Sequence, residues 1–204
     1  MAITELTTLE LIPPHTFQSM ELCNIIAGLC ARQCAFSAYP VALYADMSSS
    51  TTFYLLSGWR NIAAMSLWRG QNSTLETLAS LQSFMRMPQT VLVDMNFDTI
   101  PRGKPNVLCL VRHWVQEDDV GYGEEIGTTW RLDPDDEEED AVPIRVEWTG
   151  GGHGVRDDEA RIFHRFIMYD EKTSEVAIRR AIRLRNVIAM KRVSIPRPPA
   201  PSYQ

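Results

Sequence analysis

The spacing of apolar residues in the first hundred positions predicts strands and helices in a regular order. Apolar residues at every second position are typical of half-buried strands, and apolar residues three and four apart are typical of helices. Strands are predicted at 4–11, 41–45, 51–57 and 90–97, and helices at about 17–33, after Asn61, and at 73–85. Because the last two helical pieces lie between the same two strands, the order is β-α-β-β-α-β, a ferredoxin-like split unit.

The segment Ser57-Gly58-Trp59 is predicted to form the corner between a strand and a helix. Gly58 is expected to end the strand, because glycine weakens strand interiors. Asn61 has a side chain suited to the N-cap of the helix that follows. Trp59 then faces the space between the sheet and the helices, where it either lines a pocket or acts as a structural wedge.

The second half of the chain is rich in strands and has one clear helix. Strands are predicted at 106–115, 128–132, 144–148, 161–169 and 187–195, a helix at 173–185, and a glycine-rich flexible loop at 150–154. With a linker at 101–105, the chain divides into a unit at 1–100, a second unit at 101–195 and a disordered Pro-rich tail at 196–204. The second unit is a diverged repeat of the first or a strand-rich extension, because 116–128 does not have the pattern of the helix that a repeat needs.

Length and composition restrict the class of protein. With 204 residues, 45% of them hydrophobic, the chain can bury a proper core. It contains neither an apolar run long enough for a membrane span nor the pattern of a secretory signal. The four cysteines are too few and too irregular for a disulfide framework, so we expect buried free thiols and a cytoplasmic location. They are Cys23, Cys30, Cys34 and Cys109.

The net charge of −6 conceals an uneven distribution. An acidic run occupies 133–140, whereas the chain beyond Val176 contains arginines and lysines but no acid. The acidic run lacks the spaced ligands of a calcium loop and is interpreted as a solvated loop. We expect no nucleic-acid partner, because no binding motif or aromatic platform accompanies the basic residues.

The first hundred residues resemble the dimeric α+β barrel superfamily, and more narrowly the fungal proteins related to the antibiotic-biosynthesis monooxygenase domain. The resemblance rests on the order of elements, on the segment 54–59 before the second helix, on Trp68 within that helix and on the last strand, 91–98. It implies a homodimer or an internally duplicated pseudo-dimer. The superfamily includes cofactor-free oxygenases, cyclases, haem-degrading enzymes and dehydratases, so membership constrains shape more than chemistry.

Three polar residues are candidate acid–base groups. His113 lies near the end of an apolar strand, His164 shares a strand face with Phe166, and Asp94 interrupts the last strand of the first unit. A pocket histidine exchanges protons near neutral pH, and a buried carboxylate needs a partner or a function. The favoured alternative is a hydrogen bond at a sheet edge for His113 and core packing for His164, and an exposed face is the alternative for Asp94.

The aromatic residues are numerous enough to form the walls of an apolar ligand cavity. The candidates are Tyr44, Tyr54, Trp59, Trp68 and Trp114. No metal, haem or nucleotide cofactor is expected, because the first predicted helix has no histidine and no phosphate-binding loop is present.

These observations lead to a functional hypothesis with two alternatives. The first hypothesis is a cofactor-free enzyme that cyclises or isomerises a hydrophobic polyketide- or terpenoid-like biosynthetic intermediate. The alternatives are a cofactor-free monooxygenase of an electron-rich aromatic compound and a non-catalytic small-molecule-binding protein.

Overall fold

The computed structural model describes residues 2–101, 107–114, 146–169 and 187–194, with the backbone alone for residues 113 and 114. The strands are β1 (Ile3–Glu10), β2 (Val41–Asp46), β3 (Thr52–Trp59), β4 (Gln89–Val93), β5 (Val107–Trp114), β6 (Val146–His153), β7 (Ile162–Tyr169) and β8 (Val187–Val193). Within the described ranges the α-helices are α1 (Met20–Ser37), α2 (Ile62–Arg69) and α3 (Asn72–Leu81), and a short 3₁₀-helix spans Phe97–Thr99. The predicted α+β class is confirmed.

The eight strands form one sheet in the order β4-β1-β3-β2-β8-β5-β7-β6, and every pairing is antiparallel. The two outer strands of this order meet, because Val93 forms an antiparallel bridge with Gly154. The Asp94 N–H donates to the His153 carbonyl, and the Val155 N–H donates to the Leu92 carbonyl, each over 2.9 Å. These contacts close the sheet into a barrel.

The two halves of the sheet have the same strand order and the same register. Strands β4-β1-β3-β2 come from the first half of the chain, and β8-β5-β7-β6 occupy the corresponding places in the second. Ile3 pairs with Trp59 as Val107 pairs with Tyr169. The two junctions between the halves also correspond. At one junction Asp46 of β2 pairs with Met190 of β8, and at the other Gly154, directly after β6, pairs with Val93 of β4.

The sheet lies between the barrel interior and the hydrophobic clusters on its outer face. The barrel interior is filled by side chains that alternate inward along the strands, including Leu6, Leu56, Leu110, Phe166 and Met190. The outer face of the first half packs against the three helices, through residues that include Leu9, Ile26, Leu43, Leu55 and Trp59. Successive residues of a strand face opposite sides, so each of β1 to β4 contributes to both of these cores, whereas the outward residues of β5 and β7 form a third cluster.

The prediction that Gly58 ends the third strand is wrong. Strand β3 continues through Gly58 to Trp59, and the chain leaves the sheet only at Arg60. A Cβ on Gly58 would lie 2.6 Å from the Phe97 Cβ and 2.8 Å from the Tyr39 ring. The glycine therefore admits two aromatic side chains against the strand. Asn61 is the N-cap as predicted, since its side chain accepts the Ala64 N–H over 2.8 Å.

The prediction of a flexible loop at 150–154 is also wrong, because three of its glycines belong to β6. A Cβ on Gly151 would lie 2.5 Å from the His164 carbonyl oxygen, and one on Gly152 would lie 2.1 Å from the Asp94 carbonyl oxygen. These glycines allow neighbouring backbones to approach closely, which is one of the known uses of glycine in a strand.

Several element boundaries differ from the predictions. Helix α1 begins at Met20 rather than near residue 17, and the last strand of the first unit ends at Val93 rather than at 97. Most of the predicted linker, the strand at 128–132, the helix at 173–185, the acidic run and the Pro-rich tail lie outside the described residues, and the division into units stays a prediction. No helix in the described part of the chain is long and apolar enough to cross a membrane.

Candidate functional site

An apolar cavity lies between the outer face of the first half-sheet and the three helices. Its volume of about 360 Å³ is sufficient for a small organic ligand. Strands β1, β3 and β4 form its floor, and residues of α1, α2 and α3 cover it. Its apolar walls include Leu9, Ile26, Leu29, Leu55, Trp59 and Trp68.

Glu5 is the charged group in the floor of this cavity. It shares the outer face of β1 with Ile3 and Leu9, and its side chain is 8% exposed. The Thr7 hydroxyl donates to one carboxylate oxygen over 3.0 Å, and the Ser57 hydroxyl donates to the other over 3.4 Å. A buried carboxylate requires such donors, because water is not available to solvate it.

Two further donors come from Trp59 and Arg69. The Trp59 indole Nε1–H donates to the Glu5 oxygen that Ser57 also contacts. It can do so because Trp59 is a diagonal neighbour of Glu5 across the β1·β3 pair. The Arg69 guanidinium, on the last residue of α2, donates to the other Glu5 oxygen over 2.7 Å.

A second layer of hydrogen bonds fixes this arrangement. Gln33 of α1 is buried and donates its amide N–H to the Ser57 hydroxyl over 2.9 Å. The Thr7 and Thr90 hydroxyls lie 3.3 Å apart and link β1 to β4. Together with Arg69 of α2, the network ties two helices and three strands to a single carboxylate.

The geometry gives Glu5 and Arg69 different roles. Four donors occupy the Glu5 carboxylate, so it is suited to holding its neighbours rather than to accepting a proton from a ligand. Arg69 makes one hydrogen bond to Glu5, and a guanidinium has five N–H donors. Since the Arg69 side chain is 36% exposed and lines the cavity, its remaining donors are accessible to an anionic oxygen.

Two of the aromatic residues predicted to line a pocket lie in this cavity, namely Trp59 and Trp68. Tyr44 and Tyr54 instead belong to the barrel interior, on the opposite face of the sheet. The Tyr54 hydroxyl donates to Asp46 over 2.6 Å, and burial together with that carboxylate raises the pKa of Tyr54. Trp114 lies in β5, and its side chain is outside the described residues.

The candidate acid–base residues are not among those that line the cavity. His164 is 1% exposed on the interior face of the barrel, and neither ring nitrogen has a hydrogen-bond partner. Burial, followed by the positive charges of Arg112 and His153, lowers its pKa to about 4. Asp94 follows β4 and is half-buried, while His113 lies in β5 with its side chain outside the described residues. Their catalytic roles stay predictions.

Sequence reasoning missed Glu5, Arg69 and Gln33. A signal for Glu5 was present, because it occupies the same alternating face of the first strand as Ile3 and Leu9. Glu5 is, like Asp94, a carboxylate that interrupts the apolar face of a predicted strand. Arg69 follows Trp68 directly, and nothing in the sequence distinguishes it from the other arginines.

The cysteines are the remaining reactive groups. Cys23, Cys30 and Cys109 are buried as predicted, whereas Cys34 is exposed. Burial raises the pKa values of Cys30 and Cys109 to about 12, which disfavours the reactive thiolate. In the ranges that the structure describes, no three His, Cys, Asp or Glu residues are grouped as metal ligands.

The fold is shared with solved structures over nearly the whole chain. The chain aligns with a candidate monooxygenase of Fusobacterium nucleatum subsp. nucleatum at a TM-score of 0.56 and 10% identity, covering 95% of this chain and 93% of that one. A candidate monooxygenase of Lactobacillus acidophilus aligns at a TM-score of 0.55 and 10% identity, covering 94% and 93%. At this identity the likeness shows the fold alone.

A partial likeness links the chain to smaller proteins. Half of this chain aligns with 95% of SnoaB, a cofactor-independent oxygenase from Streptomyces nogalater, at 12% identity and a TM-score of 0.39. No family model and no curated protein matches the sequence. The comparisons therefore identify the α+β barrel architecture of the candidate monooxygenases and leave the reaction open.

Proposed function

We propose that the chain is a cofactor-free enzyme that binds a hydrophobic, polyketide- or terpenoid-like small molecule in the cavity between the helices and the sheet. One observation carries the proposal: an apolar cavity has a buried carboxylate in its floor that orients an arginine and a tryptophan. Cavities of this kind bind apolar ligands, and a few fixed polar groups set the orientation of the ligand.

The chemistry that suits this cavity is stabilisation of an oxyanion. Arg69 always carries a positive charge and has N–H donors left for a ligand oxygen. Glu5 holds the guanidinium in place, so few motions are needed when charge develops on an enolate or phenolate oxygen. The rings of Trp59 and Trp68 supply flat apolar surface for the body of the substrate.

Of the reactions that pass through such an anion, we favour oxygenation, because two solved structures that align with nearly the whole chain are candidate monooxygenases. This is an argument from analogy of fold. An acidic ring methylene loses a proton to solvent, and its electron pair forms a carbon–oxygen bond with dioxygen. The resulting peroxide takes up a proton, the second ring C–H bond gives its proton to solvent, and its electron pair forms the carbonyl as the oxygen–oxygen bond breaks and hydroxide leaves as water. The product gains one oxygen and loses two hydrogens.

Cyclisation or isomerisation is the second candidate, because it uses the same anion without an oxidant. The enolate either attacks a carbonyl carbon of the same molecule or is reprotonated at another carbon. The product then has the mass of the substrate, or that mass less one water molecule. Binding without turnover would indicate the third alternative, a small-molecule-binding protein.

The experiment is to incubate the protein with anthrone as a probe, under air, under ¹⁸O₂ and without oxygen. Oxygenation predicts a product that contains one ¹⁸O atom. Arg69→Met should lower kcat/KM by about 100-fold, as removal of an oxyanion donor does in other enzymes. Arg86→Met is the matched control, because Arg86 is exposed and pairs with Glu10 at 3.4 Å. Equal rates for the two variants would contradict the role of Arg69, and conversion without oxygen would favour the second candidate.

We also propose how the chain assembles. The matching register of the two half-sheets supports an internal pseudo-dimer, with a homodimer as the alternative. Chromatography coupled to light scattering distinguishes one chain from two. The relationship to fungal proteins and the cytoplasmic location stay predictions.

A further inference from the structure

Thr74 differs from the other polar residues of the cavity wall. Glu5, Thr7, Gln33 and Thr90 are linked to one another or to Ser57 by hydrogen bonds. Thr74 also lines the cavity and is 1% exposed, but its hydroxyl has no hydrogen-bond partner. It is the third residue of α3, so it comes from a different element than the Glu5–Arg69 pair.

An unpaired buried hydroxyl destabilises a protein, because folding removes its hydrogen bonds to water and replaces them with nothing. Such a group is retained without a cost when a ligand supplies the partner. Thr74 can both donate and accept, so a ligand carbonyl or hydroxyl would satisfy it. An aliphatic part of a ligand would not.

We propose that Thr74 is a specificity-determining residue that binds a second oxygen function of the substrate, separate from the anionic oxygen at Arg69. This inference rests on the proposed function of the cavity. It restricts the substrate class to hydrophobic molecules with at least two oxygen substituents, one held by the guanidinium and one by the Thr74 hydroxyl. Molecules with a single oxygen bind through Arg69 alone.

The test compares the binding of naphthol with that of a set of dihydroxynaphthalene isomers, measured by quenching of tryptophan fluorescence. The wild-type protein should bind at least one isomer about tenfold more tightly than naphthol, which is the gain expected from one additional hydrogen bond. Thr74→Val has nearly the same shape without the hydroxyl, so it should remove that preference and leave the affinity for naphthol unchanged. Thr74→Ser keeps the hydroxyl and should retain the preference.

Thermal unfolding of the free variants separates this role from a structural one. Thr74→Val removes a buried group without a partner, so its Tm should equal or exceed that of the wild type. A Tm well below the wild-type value would overturn the inference, because it would mean that the hydroxyl supports the fold. The inference would also be overturned if Thr74→Val kept the preference for a dihydroxynaphthalene, or if the wild-type protein bound naphthol and every isomer with equal affinity. Failure to bind any of these probes would overturn both the inference and the proposed cavity function.

Discussion

At the scale of single residues, Glu5 determines the geometry of the cavity floor. Its carboxylate accepts hydrogen bonds from Thr7, Ser57, Trp59 and Arg69, which come from three different elements. A glutamine amide in its place has one acceptor oxygen and one NH2 group. Some of the four groups that now donate to Glu5 would therefore face an N–H donor instead of an acceptor. Removal of one partner from a buried charged network lowers the folding stability by more than the intact network adds, because the other partner is left buried and unpaired.

Glu5→Gln should therefore lower the free energy of unfolding by about 2 kcal/mol, the scale of hydrogen bonds to a charged group. This loss is smaller than the loss expected for a fully buried ion pair, because the Arg69 side chain is 36% exposed. Glu10→Gln on the same strand is the control, since Glu10 forms an exposed pair with Arg86 and should cost less than about 1 kcal/mol. Urea unfolding measures both, and equal losses would contradict the role assigned to Glu5.

His164 links folding to pH. Burial, then the charges of Arg112 and His153, lowers its pKa to about 4 in the folded protein, whereas the ordinary value is 6.5. The unfolded chain thus binds a proton at a higher pH than the folded one. The stability contributed by neutral His164 is fully present above pH 6.5 and is lost progressively as the pH falls toward 4.

His164→Leu should reduce this pH dependence. The substitution removes a buried ring whose two nitrogens have no partner, so stability at pH 7 should be unchanged or higher. The measurement is the urea midpoint of both proteins at pH 7, 6 and 5. A wild-type midpoint that falls no faster than that of the variant would contradict the assignment.

At the scale of elements, local patterns predicted the strands well and the glycines poorly. Alternation indicates β1, and the richness in β-branched and aromatic residues indicates β3, which is buried on both faces from Phe53 to Trp59. The sequence predicts a strand end at Gly58 and a flexible loop around Gly152, since glycine has no local preference for a strand. Their function is to admit Phe97 and the Asp94 carbonyl, which lie far away in sequence.

For the candidate site, too, local patterns located single residues but not contacts between distant ones. Trp59 was placed correctly toward the space between helices and sheet, because its position follows from the local alternation and the nearby helix. The Glu5–Arg69 pair was missed, because it joins residues from distant parts of the chain. Whether His164 faced a pocket or the barrel interior also depended on the closure of the sheet, which no local pattern encodes.

Gly152→Ala should weaken the closure of the barrel. The new Cβ would lie 2.1 Å from the Asp94 carbonyl oxygen, a backbone atom that can move only if β4 moves. We expect a loss of about 1–3 kcal/mol, typical of overpacking. Hydrogen exchange at the Asp94 and Val155 amides, which bridge the closing strands, should accelerate.

Gly28→Ala is the control for this glycine substitution. Gly28 lies within α1, and the nearest atom to a new Cβ is the end of the Arg32 side chain at 3.6 Å. Alanine is favoured over glycine inside a helix, so this variant should gain up to about 1 kcal/mol. A Gly152→Ala variant as stable as Gly28→Ala would show that the closing strands tolerate separation.

At the scale of the whole molecule, the two half-sheets share a register but not the residues of the site. The positions of Glu5, Ser57 and Trp59 in the first half correspond to Cys109, Ile167 and Tyr169 in the second, because the paired strands align residue by residue. These three residues are buried in a separate cluster on the outer face of the second half. The equivalent face thus has no carboxylate at the position of Glu5.

One ligand should therefore bind to each chain, although the barrel has two similar halves. Titration calorimetry with a dihydroxynaphthalene should give one site per chain, and Arg69→Met should weaken that site. Cys109→Ser is the comparison in the second half, at the position that corresponds to Glu5, and it should leave both affinity and stoichiometry unchanged. Two equal sites per chain, or binding that responds to Cys109→Ser and not to Arg69→Met, would contradict this asymmetry. A single site is expected because binding depends on a buried charge network that only the first half-sheet contains among the described residues.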